Sequence, residues 1–214
     1  MLAEGLALDQ ESRMAAIAKE DRPTTLQGVP RVTILTPTIE GREELLVEAA
    51  LSVRSQTEEA AHLIYLDTEH HGPAWCRNQL LERVQSEWVG FLDDDDLLDP
   101  THVEALMALL EVGGADLAWS RCRCVFADGV PPIRIAQGLR PNYADLVKPG
   151  ARNFIPVTVI ARTSSIREAG GFDPADRYED HALFCRMLNR GQRFVHLPHA
   201  TWTYRFLGAN RTHG

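Results

Sequence analysis

The sequence lacks several features that would place it at once. No apolar run approaches the roughly 18 residues that a membrane-spanning helix needs. Met1 to Asp21 lacks the basic start and apolar middle of a secretory leader, so the expected compartment is the cytoplasm. The four cysteines, Cys76, Cys122, Cys124 and Cys185, are scattered without the spacing of a disulfide framework, and reduced thiols are expected. Cys122 and Cys124 alternate onto one face of a strand, which suits a core role better than metal binding. Positive charge is also short: 22 Lys and Arg stand against 30 Asp and Glu, a net charge of −8, which disfavours a surface built to grip nucleic acid throughout. There is no internal repeat and no low-complexity segment. At 214 residues and 44% hydrophobic, the chain suits a single globular domain with a substantial core.

What is present is an alternation of two periodicities. Residues 1–29 are weakly helical around Ser12 to Lys19, are broken by Pro23 and Pro30, and read as an N-terminal appendage. From Arg31, "RVTILTP" is a β-branched run that stops at Thr36-Pro37-Thr38, and Leu45, Leu46, Ala49, Ala50 and Val53 follow at helical spacing. The unit repeats. "HLIYLD" predicts a strand ending at Asp67 and Ala74 to Gln85 a helix; "EWVGFL" predicts a third strand, and Pro100 opens another helix. Alternation of this kind implies an α/β fold, a Rossmann-like and mostly parallel sheet flanked by helices, in which ligands collect at the carboxyl ends of the strands. Downstream the order loosens into an α+β half: "DLAWSRCRCVF", "PVTVIAR" and "RFVHLP" read as strands, with a helix from about Asp180 to Asn189.

Thr36, Asp67 and the run Asp93-Asp94-Asp95-Asp96 all fall at those carboxyl ends, so three distant polar features converge on one cleft. Adjacent carboxylates at the end of a buried strand repel one another unless a cation neutralises them. A hard divalent metal with oxygen ligands is the natural candidate, and it usually keeps positions open for phosphate oxygens. The plainer alternative is a solvated turn, with Asp96 or Asp99 capping the helix that starts near Pro100.

Three ordered stretches sharpen this. "RVTILTPTIEGREELLVEAALSVRSQT", "GPAWCRNQLLERVQSEWVGFLDDDDLLDP" and "REAGGFDPADRYEDHALFCRMLNRGQRFVHLP" resemble, in turn, three segments of the family-2 glycosyltransferases. These are the first strand and Ser-x-x-x-Gln-Thr helix, the Arg-Asn helix leading to an Asp-x-Asp strand, and the Gly-Gly-Phe-Asp segment followed by Glu-Asp. The resemblance spans about Arg31 to Phe206 and implies one GT-A domain over residues 30–206. Its nucleotide-binding half would cover about 30–118 and its acceptor and catalytic half about 119–206, with 207–214 as a tail.

The same resemblance implies roles. Thr36, Pro37, Thr38 and Asp67 would frame the nucleoside, and a carboxylate at Asp67 can accept from a base N–H, which suits uracil. Arg77 and Asn78 match the Arg-Asn pair beside the nucleotide. Asp93 and Asp95 match the ends of the Asp-x-Asp motif: Asp95 would hold Mn(II) or Mg(II), Asp93 the ribose or the metal, and Asp94 lies between them. Glu179 and Asp180 match the Glu-Asp pair, in which the aspartate is the general base. The implied function is metal-dependent, inverting transfer of a sugar from a nucleoside-diphosphate sugar, a UDP-sugar first, to an acceptor hydroxyl.

Two departures stand out. His70 and His71 occupy a loop where many relatives carry Gly-Ser-x-Asp, and Leu207 stands where a histidine is expected after Tyr204-Arg205; either His199 or His213 compensates, or the metal site is looser. Between Trp119 and Asn153, Arg121, Arg123, Arg134, Arg140, Lys148 and Arg152 form a local basic excess. It points to an anionic acceptor such as a phosphorylated carrier, a phosphorylated sugar or nucleic acid, or to an ordinary solvated face. Two other functions stay open: a sugar nucleotidyltransferase, against which the absence of a Gly-rich basic loop after the first strand counts, and a non-catalytic nucleotide- or metal-binding protein.

Overall fold

The computed structural model describes residues 30–129, 142–148, 150–151 and 153–207. The proposed appendage, the helical stretch within it, the last residues of the tail with His213, and Arg134, Arg140 and Arg152 lie outside these residues. Among the described residues, no helix is long and apolar enough to cross a membrane.

A seven-stranded sheet runs through the molecule in the order β2-β1-β3-β6-β5-β7-β4. Its strands are β1 (Val32–Thr38), β2 (Ala60–Leu66), β3 (Trp88–Phe91), β4 (Leu97–Leu98), β5 (Leu117–Phe126), β6 (Val159–Arg162) and β7 (Phe194–Phe206). The helices are α1 (Glu43–Arg54), α2 (Pro73–Arg83), α3 (His102–Gly113), α4 (Tyr143–Leu146), α5 (Thr163–Glu168) and α6 (Glu179–Asn189). β1 pairs in parallel with both β2 and β3, and β5 in parallel with β7 along ten register positions. β6 is the reversed strand between β3 and β5, and β4 is reversed against β7. The expected parallel βαβ half is thus followed by a mixed half, as the loosened pattern downstream of residue 118 implies.

Alternation along the strands sends side chains to two cores, one on each face. Leu35, Val89, Phe91, Leu117, Trp119, Val159 and Ala161 face one side, under Leu80 and Leu81 of α2 and Leu183, Phe184 and Met187 of α6. Val32, Ile34, Trp88, Ala118 and Ile160 face the other, under Ala49 and Val53 of α1 and Val103, Leu106, Met107 and Leu110 of α3.

The Ser-x-x-x-Gln-Thr motif at the end of α1 proves to be a stitch. Ser52 Oγ accepts from Leu98 N at 3.1 Å, and Gln56 donates to Asp99 O at 2.7 Å while accepting from Val103 N at 2.9 Å. Thr57 N donates to Pro100 O at 2.7 Å and Thr57 Oγ1 to Glu104 at 2.6 Å. Gln56 therefore satisfies the first turn of α3. This corrects the expectation that Asp99 caps that helix. Thr101 is the N-cap residue without a side-chain bond, and the Asp99 carboxylate turns instead to Arg123, whose Nη1 lies 2.9 Å away. A guanidinium on β5 offers a fork that a single backbone N–H cannot match.

Candidate active site

Because β1, β2 and β3 run the same way, their carboxyl ends open on one side of the sheet. There they border a cleft of about 680 Å³. Pro37, Thr38, Asp67, Arg77, Asp93, Asp94, Asp95 and Glu179 line it, so most of the residues singled out in the sequence converge. Thr36 does not. It is fully buried and its Oγ1 lies 2.9 Å from His62 Nε2, cross-bracing β1 and β2 below the cleft floor.

Asp67 shapes its own loop. Its two oxygens accept from His71 N at 3.0 Å and Gly72 N at 2.8 Å, folding the 67–72 turn back on the strand end. Burial opposes its charge, yet the N–H groups of Gly72 and His71 and the Cys76 thiol hold its carboxyl below the usual range. His71, in the loop that departs from the relatives' pattern, stacks on Trp75 with ring centroids 4.1 Å apart.

Arg77 is 3% exposed and ties two distant motifs together. Its Nη2 donates to Asp93 Oδ1 at 2.6 Å and its Nη1 to Glu179 Oε1 at 2.9 Å. Burial alone would lower its pKa, but those two carboxylates raise it, so it stays charged. Its neighbour Asn78 faces away from the cleft and clamps the backbone of Phe172: Asn78 Nδ2 donates to the Phe172 carbonyl at 2.7 Å, and Phe172 N donates to Asn78 Oδ1 at 2.9 Å. A Cβ on Gly171, whose φ is +68°, would sit 2.6 Å from Asn78 Oδ1, which explains the second glycine of Gly-Gly-Phe-Asp.

The four aspartates are held differently. Asp93 is partly exposed and bound to Arg77; Asp94 accepts from Thr38 Oγ1 at 2.7 Å and pairs with Arg42 Nη1 at 3.1 Å. Asp95 pairs with Arg42 Nη2 at 2.5 Å, and Asp96, almost fully buried, accepts from Arg205 N at 3.0 Å. Burial pushes the Asp94 carboxyl up to about 6, raises Asp95, and carries Asp96 well above its ordinary value, with neighbouring aspartates adding to each shift. Asp93, Asp95 and Asp96 each offer an oxygen within 4.8 Å of the others. Three hard carboxylate donors, two of them (Asp95 and Asp96) buried where their charge is costly, fit a divalent cation with oxygen ligands. Asp94, with both oxygens already engaged, is not among the three.

Across the cleft, α6 begins with Glu179 in the wall, followed by Asp180, which is half-buried and outside the lining. Asp180 Oδ2 accepts from Asn153 Nδ2 at 2.9 Å, and its Oδ1 accepts from His181 N at 2.7 Å. Burial, then the adjacent Glu179 charge, pushes its carboxyl up to about 6. Leu207 lines the cleft where a histidine was expected, and His199 is exposed and takes no part in the lining. Arg42 and Asn153 were not anticipated, and Arg205 figures in the sequence only as half of the Tyr-Arg landmark; only the fold brings the three to these carboxylates. The expected basic face of the second half is reduced, since Arg123 is paired with Asp99 and Lys148 with Asp145 at 2.5 Å.

The comparisons with known proteins bear on the family and the fold. A family model described as glycosyl transferase family 2 matches residues 46–170, more than half of the chain. No curated protein sequence matches. Among solved structures, the chain is similar to S. aureus TarS 1–349 in complex with UDP-GlcNAc, with a TM-score of 0.67, 15% identity, and coverage of 85% of this chain and 60% of that one. It is also similar to the mannosyltransferase PcManGT from Pyrobaculum calidifontis in complex with GDP-Man and Mn2+, with a TM-score of 0.58, 16% identity, and coverage of 83% and 57%. The chain spans 60% or less of the length of these structures. With the family match over most of its α/β half and the shared sheet architecture, this chain belongs to glycosyltransferase family 2 and has the GT-A fold.

Proposed function

We propose that the chain transfers a sugar from a nucleoside-diphosphate sugar to an acceptor hydroxyl, with inversion at the anomeric carbon. One observation carries the reading: Arg77 joins Asp93 to Glu179, so the acidic strand end and the Glu-Asp helix start form opposite walls of a single cleft. Two solved structures of similar fold hold UDP-GlcNAc and GDP-Man, which supports a nucleotide-sugar donor.

In this reading Asp93 and Asp95 hold Mn(II) or Mg(II). Asp96 would add a third carboxylate oxygen, within 4.8 Å of theirs. When bound, the metal supplies Lewis-acid stabilisation of the charge that gathers on the leaving diphosphate. Pro37 and Thr38 border the nucleoside, and Asp67 presents a carboxylate held ionised to a base N–H. Thr36 and Asn78 act from behind, the first through His62 and the second through Phe172.

Asp180 is the base. An acceptor hydroxyl is a weak nucleophile, and a carboxylate that ionises near neutrality both accepts its proton and is available to do so. The acceptor O–H bond breaks toward Asp180 as the oxygen bonds to the anomeric carbon. The bond from that carbon to the phosphate oxygen breaks on the opposite side, leaving its electron pair on the diphosphate. Asn153 fixes one oxygen of Asp180 and so orients the other lone pairs.

Thermal-shift titration of UDP, GDP and dTDP, with and without Mn(II), tests the reading. A metal-dependent shift with one nucleotide is expected. If no nucleotide raises the melting temperature under any metal condition, the transferase reading fails. Asp95→Ala should abolish the metal dependence, while Asp180→Asn should keep binding and stop transfer.

A further inference from the structure

The acidic cluster already has a cation of its own. Arg42 lies in the loop between β1 and α1, at the N-cap of α1, and no side-chain bond to the helix explains it there. Its Nη1 is 3.1 Å from Asp94 Oδ1 and its Nη2 is 2.5 Å from Asp95 Oδ2, so one planar guanidinium bridges two successive carboxylates. These two partners are not equivalent. The second oxygen of Asp94 is held by Thr38 Oγ1 at 2.7 Å, which commits Asp94 to the protein. Asp95 instead belongs to the trio with Asp93 and Asp96 whose oxygens converge within 4.8 Å. Arg42 is therefore tied to one carboxylate that stays and one that a divalent ion needs.

A dication on Asp95 and the guanidinium are like charges competing for one anion, so each weakens the hold of the other. The Arg42 side chain has room to respond, being 32% exposed and part of the cleft lining. The donor's diphosphate then brings new negative charge into the same cleft, and the guanidinium fork matches phosphate oxygens as well as it matches carboxylates.

We propose that Arg42 is an exchangeable counter-ion: before the donor binds it neutralises Asp95, a divalent cation takes Asp95 from it, and the released guanidinium grips the donor's diphosphate. This rests on the reading of Asp93, Asp95 and Asp96 as the metal site. Metal and donor binding are then coupled through one side chain, since the metal frees the group that the diphosphate uses.

The test is calorimetric and needs no turnover. Mn(II) is titrated alone, and UDP or GDP is titrated at saturating Mn(II), into the wild-type chain, Arg42→Ala and Arg42→Met, the last keeping an aliphatic stem in case the alanine variant folds poorly. Removing the competitor should tighten Mn(II) binding about fivefold, the order of magnitude of a partly exposed ion pair. The same variants should bind the nucleotide at least about tenfold more weakly, the scale of one charge-assisted contact. Opposite signs are the signature. If both affinities fall together, or if Mn(II) binding is unchanged in a variant with a wild-type melting temperature, Arg42 is a structural arginine and the proposal is overturned. If the wild-type chain binds no Mn(II), the metal reading fails with it; intact Mn(II) binding without opposite signs overturns the exchange alone.

Discussion

Arg77 donates to Glu179 at 2.9 Å across 102 positions of sequence, and Arg77 is buried while Glu179 forms the cleft wall. This pair closes the site between two parts of the chain that also meet beneath it, through the Asn78 clamp on Phe172 and a shared core. Removing the arginine leaves Asp93 and Glu179 facing each other without a cation. Arg77→Met should cost about 3 kcal/mol in a urea melt, as for one partner taken from a buried pair. Donor binding should fall with it, whereas Glu179→Gln should cost less because the cation remains with Asp93.

Gly171→Ala tests the clamp beneath the site. The new Cβ would meet Asn78 Oδ1 at 2.6 Å in a left-handed backbone conformation. Chemical denaturation should show a loss of about 2 kcal/mol, from the conformation and the weakened clamp together. Asn78→Ala should lose a similar amount, and the double variant should lose less than the sum because both act on one contact.

Transfer should depend on pH through Asp180. Burial and Glu179 raise its carboxyl to about 6, so the base is ionised above that value and protonated below it. The rate should fall as pH drops through about 6. Asn153→Ala removes a hydrogen bond that Asp180 accepts, favouring its protonated form, so the falling limb should move to higher pH without loss of Mn(II) binding. An unmoved limb would remove Asp180 from the titration.

Metal should oppose the pH dependence of stability around the acidic strand end. With Asp94 raised to about 6 and Asp95 and Asp96 also raised, the folded chain holds more protons than the unfolded one between the ordinary carboxylate value of 3.8 and about 6. These groups therefore make stability fall as pH rises through that window. A divalent ion binds the ionised forms, so the rise in melting temperature with Mn(II) should be larger at about pH 7.5 than at about pH 5. An equal rise at both pH values would locate the metal elsewhere.

Much of this was legible in the sequence. The period-two and helical patterns of residues 31–118 placed three strands with their carboxyl ends together, and that was enough to bring Asp67, Asp93 and Asp95 to one cleft. What it hid was long-range. The reversal of β6 leaves no mark in a strand of four residues, since "VIAR" is equally apolar in either direction. Arg42 and Asn153 became visible only when the fold set them against Asp95 and Asp180. The Asp99 assignment went astray because capping is a local rule, and the competing partner, Arg123, sits on another strand.

The reversed strand also bears on how the chain is made. Synthesis delivers β1, β2 and β3 well before β6, so during translation β3 presents an unpaired edge until residues 159–162 arrive and fill it. Such an edge is open to pairing with another nascent chain, and its closure waits on a contact of long sequence separation. Asp93 to Asp96 follow directly on that edge, and a block of like charge at a strand end is the kind of gatekeeper that disfavours pairing with a second copy.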